Sequence, residues 1–343
     1  MVGFGINMRD SWPVVTVIMP VLNEAAFIRK SLGAVIAQDY PRDCMQILVV
    51  DGGSSDETRQ IAQELLNDDP KSGLLHNPRR IQSAALNIGI QAASGDIIIR
   101  VDGHTLIEAD YVRNCVRLLA SGEFDNVGGP MRPVGQTYVG QGVALATTSK
   151  FGIAGSKFHY SEREQMVDTV YMGAFRRTIF DRVGLFDEQL KINEDYEFNY
   201  RLRQAGGKIL LSPTLNSSYV PRQSLGALWR QYFQYGYWKV RMLQKHPVSL
   251  RWRQVIPPLF VGTVIVSGVM SLLWRSFRWL FMGITGSYLL ANCVASTIAA
   301  RRGGWRILPV LPMIFATLHV AWGLGFWYGL LLTVVPTWRS RKM

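Results

Sequence analysis

The residues most able to do chemistry stand where apolar runs stop. "GDIIIRVDGHT" ends on Asp102 and His104, a carboxylate and an imidazole two residues apart on one turn. Such a pair can face a single ion and suits Mn²⁺ or Mg²⁺ carrying a diphosphate, the ion neutralising charge on a leaving oxygen. An ordinary surface turn would also account for Asp-Gly. Two earlier runs end in the same manner: "VVTVIMPVLN" leads to Asn23 and Glu24, and "QILVVDGGSS" breaks at Asp51 before two glycines. An Asp followed by glycines suits a nucleoside, because the carboxylate accepts from a base or ribose hydroxyl while the bare backbone approaches the ligand. "NEDYEF" puts Glu194 and Asp195 at a helix start, where the dipole favours carboxylates and where one of them could take a proton from an attacking hydroxyl. "NPRR" offers Arg79 and Arg80, with Arg79 the candidate for holding phosphate, although a solvated loop explains the same residues.

These groups lie far apart in sequence, so the elements between them must bring them together. "EAAFIRKSLGAVIAQ" spaces Phe27, Ile28, Leu32, Val35 and Ile36 at helical intervals, a second helix begins near Asp56, and "IQSAALNIGIQAA" is again helical. Strand and helix alternate, which implies crossover units and an α/β fold with a mostly parallel sheet covered on both faces. In such a sheet the strand ends share one edge, and the polar groups that close them converge. From about 123 to 160 the pattern loosens and reads as an irregular segment. "NEDYEFNYRLRQAG" is a helix ending at a Gly pair, and "KILLSP" is the last strand.

Charge locates a seam. All 25 acidic residues precede residue 221, with 22 of the 37 basic ones, so residues 1–220 carry −3 and residues 221–343 carry +15. A basic tail without one acid, rich in aromatics and apolar runs, fits anionic membrane lipids and speaks against nucleic acid. "SLGALWRQYFQYGYWKVRMLQKH" reads as an amphipathic helix in the membrane interface, with a packed helix as the plain alternative. Residues 255–274 and 279–300 are each long enough to cross a bilayer, and 307–335 is long for one crossing. Basic residues flank all three segments, which alternate crossings cannot place on one side. The expected organisation is a catalytic domain over 1–220, an interfacial region over 221–252 and membrane helices over 253–343, two to four segments in all. Cys44, Cys115 and Cys293 are scattered and imply neither a disulfide framework nor a zinc site. "MVGFGINMRDSWP" lacks the charged and apolar regions of a signal peptide, so the front half is expected on the side where it is made.

Six stretches in order, "VTVIMPVLNE", "VVDGGSSDET", "QSAALNIGI", "GDIIIRVDGH", "RRTIFDRVGLFDE" and "NEDYEFNYRLRQAG", resemble the inverting glycosyltransferases of family two, which have the GT-A nucleotide-sugar-binding fold. The subgroup most similar is the membrane-anchored exopolysaccharide glucosyltransferases of the succinoglycan type. The resemblance implies that Asp51 contacts the uracil or ribose of a nucleoside-diphosphate sugar, a UDP-hexose by type, with Asn23, Glu24, Arg79 and Asp102 the other candidate contacts to that donor. It also implies that Asp102 and His104 fill the family's D-x-D position beside Mn²⁺ or Mg²⁺, and that Asp195 is the base. His104 departs from the family's second Asp and leaves the site one negative charge poorer. "QYGYW" at 234–238 departs from the Q-x-x-R-W of processive synthases, which argues for one sugar per encounter. The acceptor implied is a saccharide on a polyprenyl diphosphate, at the cytoplasmic face of the plasma membrane. Transfer directly to polyprenyl phosphate, or a non-catalytic nucleotide-sugar-binding subunit of a larger synthase, are the rival readings.

Overall fold

In this computed structural model the described residues are 12–153 and 157–334, and they form two compact units. The first holds residues 12–132 and 157–219, the second residues 133–153 and 220–334. The second boundary between the units falls after Tyr219, and residues 133–153, from the middle of the chain, group with the tail.

The first unit is built on β1 (Val15–Val21), in which every residue is buried. β1 pairs in parallel with β2 (Met45–Asp51) on one side and, on the other, with a strand that ends at Arg100. The crossovers are α1 (Ala25–Ile36), α2 (Thr58–Leu66), a short strand β3 (Gly73–His76) parallel to β2, and α3 (Gln82–Ala92), which leads into β4 (Ile97–Arg100). Alternate residues feed two cores. Val17, Val49 and Ile99 face Ile28, Leu32 and Cys115, while Ile18, Val50 and Ile98 face Leu86, Ile179 and Phe198. Side chains buried so completely contribute about 1.5–3 kcal/mol each.

Beyond β4 the chain makes β5 (Thr105–Ile107), α4 (Tyr111–Ala120), β6 (Asn126–Gly129) and β7 (Met131–Pro133). After the second unit's insertion come β8 (Gln165–Met166), β9 (Tyr171–Arg176), α7 (Thr178–Val183), α8 (Glu194–Gln204), β10 (Ile209–Leu211) and β11 (Ser217–Tyr219). β9 runs antiparallel between β4 and β6, so the eight-stranded sheet, in the order β3-β2-β1-β4-β9-β6-β10-β8, is parallel on its first half and mixed on its second. β5, β11 and β7 make a small separate sheet. Four phenyl rings hold α8 in place: Phe198 on that helix stacks on Phe186 at 4.5 Å and meets Phe175 and Phe180 at 5.3 and 5.4 Å.

In the second unit the segment expected to be irregular forms α5 (Tyr138–Thr147) and α6 (Lys150–Ile153), with Thr137 capping α5 through its hydroxyl. Four long helices follow, α9 (Leu225–Lys245), α10 (Trp252–Met270), α11 (Arg275–Gly303) and α12 (Leu311–Val334). α10, α11 and α12 are long and apolar enough to span a membrane. His319 is a packed residue: its Nδ1 lies 3.0 Å from the Tyr288 hydroxyl and its Nε2 2.9 Å from the Phe151 carbonyl.

Candidate active site

The loops leaving β1 and β4 meet because the two strands are parallel neighbours with Ile18 opposite Arg100. Gly103 makes the close passage possible. A Cβ there would stand 2.9 Å from Val21 and 3.1 Å from Glu24, too near for either to stay. His104 turns back across this contact, its Nδ1 2.9 Å from Glu24 Oε1.

Asp102 is buried beside the same loop and every part of its carboxylate is engaged. Arg100 donates from Nε to Oδ1 at 2.7 Å and from Nη2 to Oδ2 at 3.3 Å, and Gln82 donates to Oδ1 at 3.1 Å. The buried Tyr171 hydroxyl adds another hydrogen bond. The third guanidinium nitrogen, Nη1, reaches Glu194 Oε1 at 3.3 Å. One buried cation therefore ties the end of β4 to the start of α8, 94 residues away.

The charges are unequal in effect. Burial works against ionised Asp102, but the Arg100 charge and its hydrogen bonds hold the carboxyl below the usual range. Burial first, and then the charge of Asp195, push Glu194 up to about 7 in spite of Arg100. Burial also raises Asp195, whose Oδ1 accepts from the Tyr196 amide at 2.7 Å. Arg100 thus keeps Asp102 ionised, while Glu194 and Asp195 behave as one acid pair that readily holds a proton.

Asn23 and Asp51 form a neighbouring lock. Asn23 takes a left-handed backbone (φ 57°) and accepts from the Ser55 amide at 2.9 Å. Ser54 accepts from the Asn23 amide at 2.9 Å and donates to Asp51 at 2.6 Å. Asp51, fully buried, also takes the amides of Gly53 and Ser54. Both residues brace the strand-end loops against each other. Arg79 stands elsewhere, in an ion pair with Glu188, whose other oxygen accepts from Asn87.

The structure therefore brings Glu24, Asp102, His104, Glu194 and Asp195 into one assembly, sets Asn23 and Asp51 at the adjoining strand ends, and leaves Arg79 in a different pairing. Sequence reasoning missed Arg100, although a charge inside "DIIIRV" was a signal, since a buried Arg needs a partner. It also missed Asn193, which precedes the acid pair with φ 68° and whose Nδ2 is buried with no hydrogen-bond partner among the described residues. Left-handed backbone at a non-glycine before two acids is not readable from composition.

Among the described residues no three His, Cys, Asp or Glu side chains converge as a metal cage. Asp102 and His104 would suit a different case, an ion that arrives with a diphosphate instead of resting in a protein cage. The Glu24 contact to Nδ1 fixes the orientation of the His104 ring.

The mixed α/β sheet, with an Asp-x-His turn at a parallel strand end and an acid pair at a helix start, has the architecture of a GT-A-like fold. A solved structure agrees: a mannosyltransferase from Pyrobaculum calidifontis, described in complex with GDP-Man and Mn²⁺, superposes with a TM-score of 0.59 over 93% of this chain and 88% of that one, at 20% identity. Residues 16–184 match the family described as Glycosyl transferase family 2. The chain belongs to that family and is a glycosyltransferase. It is 32% identical to the succinoglycan biosynthesis protein ExoA of Rhizobium meliloti (strain 1021), over 92% of this chain and 94% of the relative. It is 27% identical, over 92% and 97%, to a Methanococcus voltae enzyme named as a dolichyl N-acetyl-α-D-glucosaminyl phosphate 3-β-D-2,3-diacetamido-2,3-dideoxy-β-D-glucuronosyltransferase.

Proposed function

We propose that this chain moves one sugar, with inversion, from a nucleoside-diphosphate sugar of the UDP-hexose type to a saccharide carried on a polyprenyl diphosphate, in exopolysaccharide or cell-surface glycan synthesis. The observation that carries the reading is the Arg100 bridge, which sets Asp102, its pKa held low by that cation, and the acid pair at the start of α8 in one buried assembly. Asp195 takes the proton from an acceptor hydroxyl as that oxygen attacks the anomeric carbon from the face opposite the leaving diphosphate. Asp102 and His104 would hold a Mn²⁺ or Mg²⁺, whose chemistry is to neutralise charge on the departing oxygen. Asn23 and Asp51 keep the nucleoside-side loops closed on each other, and the unpartnered Asn193 amide donates to a sugar hydroxyl. The names of the relatives, one in succinoglycan biosynthesis and one acting on a dolichyl-linked sugar, support a membrane-bound acceptor. Attachment at the cytoplasmic face of the plasma membrane would hold the catalyst near such acceptors at high effective concentration.

The test is to incubate the purified full chain with a panel of nucleotide sugars and extracted lipid-linked saccharides while measuring released nucleoside diphosphate. Asp195→Asn should abolish release while nucleotide-sugar binding persists. Release that survives this change would remove Asp195 from the role, and no release with any donor would favour a binding subunit.

A further inference from the structure

α12 has the length and hydropathy of a crossing helix, as do α10 and α11, but its surroundings differ. Of the most apolar stretch in each, 44% is buried within the protein for α12, against 17% for α10 and 11% for α11. What buries α12 decides how it can sit.

Its first half lies on α5 and α6. Gly142 of α5 leaves room for Ile314 and Val310, since an added Cβ would stand 2.5 and 3.0 Å from them. Gly152 of α6 abuts Phe315, and the Phe151 carbonyl receives His319 at 2.9 Å. In sequence the segment carrying α5 and α6 lies between β7 and β8. α5 has 10 residues, far below the ~20 that a crossing needs.

Its second half lies along α9. The Phe233 backbone meets Gly325, Gly236 meets the backbone of Trp322 and Phe326, and Val240 meets Gly329. Phe233 and Tyr328 rings stand 5.6 Å apart. The numbers climb together, so the two helices run side by side in the same direction. α9 carries Arg230, Lys239, Arg241 and Lys245 and no acid. Carrying such a helix into hydrocarbon beside α12 would bury several cations in a medium that rejects them.

We propose that α12 does not cross the bilayer, and that α10 and α11 form the one membrane-crossing hairpin of the described chain, so that the C-terminus returns to the side from which α10 starts. The hairpin has the surface that a bilayer requires. Leu259, Val266 and Val269 on α10 and Trp279, Leu290 and Ile298 on α11 are all exposed. The 19 residues of α10 extend about 28 Å, close to a hydrocarbon core.

Charge agrees. With a single hairpin Arg251, Arg253, Arg301, Arg302, Arg306, Arg339, Arg341 and Lys342 share one side, and only Arg275 and Arg278 at the tip lie across. A third crossing would move Arg339, Arg341 and Lys342 over as well, against the tendency of basic residues to collect on one side. The conflict posed by basic clusters beside all three apolar segments is thereby reduced to the tip. This inference does not depend on the reaction proposed above.

The test uses the full chain with its three cysteines replaced and single cysteines introduced as Val248→Cys, Leu273→Cys and Ser340→Cys. A membrane-impermeant maleimide is applied to sealed vesicles of known orientation. Val248→Cys and Ser340→Cys should react from the same side, and Leu273→Cys from the other. Labelling of Ser340→Cys from the side opposite Val248→Cys would overturn the placement of α12, and labelling of Leu273→Cys from the Val248 side would overturn the crossing hairpin. If removal of the cysteines prevents folding, an enzyme reporter fused after residue 343 of the unaltered chain, compared with one fused after residue 250, gives the same answer: equal sidedness supports the proposal and opposite sidedness ends it.

Discussion

Among the described residues each unit buries one long cation, and the two have different surroundings. In the sheet unit Arg100, 8% exposed, is fixed between Asp102 and Glu194. In the helical unit Lys239, 2% exposed, reaches the Ser249 carbonyl and the Met242 sulfur, each at 3.5 Å, in a stretch where residues 221–343 contain no acid. The sheet unit spends charge on holding reactive groups at defined positions. The helical unit spends small residues instead, and Gly236, Gly325 and Gly329 let α9 and α12 backbones touch. Charge pairing fixes direction as well as distance, which chemistry needs; close helix packing fixes only proximity, which a membrane platform needs.

The largest expected effect is on turnover. Asp195→Asn should lower kcat by about 10²–10⁴-fold, the range of a lost general base, with donor binding retained in calorimetry. Arg100→Ala comes next, since it leaves Asp102 and Glu194 buried without their cation and should cost about 3–5 kcal/mol in denaturant unfolding. Lys239→Met sharpens the contrast: residues 221–343 hold no acidic side chain for it to orphan, so it should cost less stability than Arg100→Ala. If both cation variants lose equally, the distinction between the units fails. Gly325→Val should destabilise the helical unit by about 1–3 kcal/mol through overpacking, read as a lower melting temperature without a change in donor binding.

A pH series probes the acid pair. Burial raises Glu194 to about 7 and raises Asp195, so their contribution to stability is present below the ordinary carboxylate range and is lost as pH rises through about 7. On the proposed role of Asp195, turnover should move the opposite way, climbing over the same range as that carboxyl loses its proton. Asp102, held low, should titrate in neither profile near neutrality. The smallest effect belongs to Arg79→Ala, whose mostly exposed partnership with Glu188 is worth about 0–1 kcal/mol.

The first half of the sheet was legible because β1, β2 and β4 are continuous apolar runs closed by polar residues, and parallel pairing alone makes their ends coincide. β9 was not, because "TVYMGAFRR" has the same local character as a strand of any direction, and its place between β4 and β6 is decided by partners more than 40 residues away. The helices α5 and α6 were hidden by glycines that signal loops in isolation and that serve here as sites of contact with α12. Asp51 and Asn23 were legible as strand-end residues, but composition could not tell a ligand contact from a loop brace. α9 showed its amphipathic stripe, while the partner covering that stripe lies some ninety residues on.

The four phenyl rings beneath α8 have a practical corollary. Since nothing covalent fixes the tilt of that helix, the aim of Asp195 is inherited from how Phe175, Phe180, Phe186 and Phe198 interlock. Reshaping an oily interior that no sugar ever touches would then tune speed, and an engineer seeking a slower or faster catalyst could leave every polar group alone.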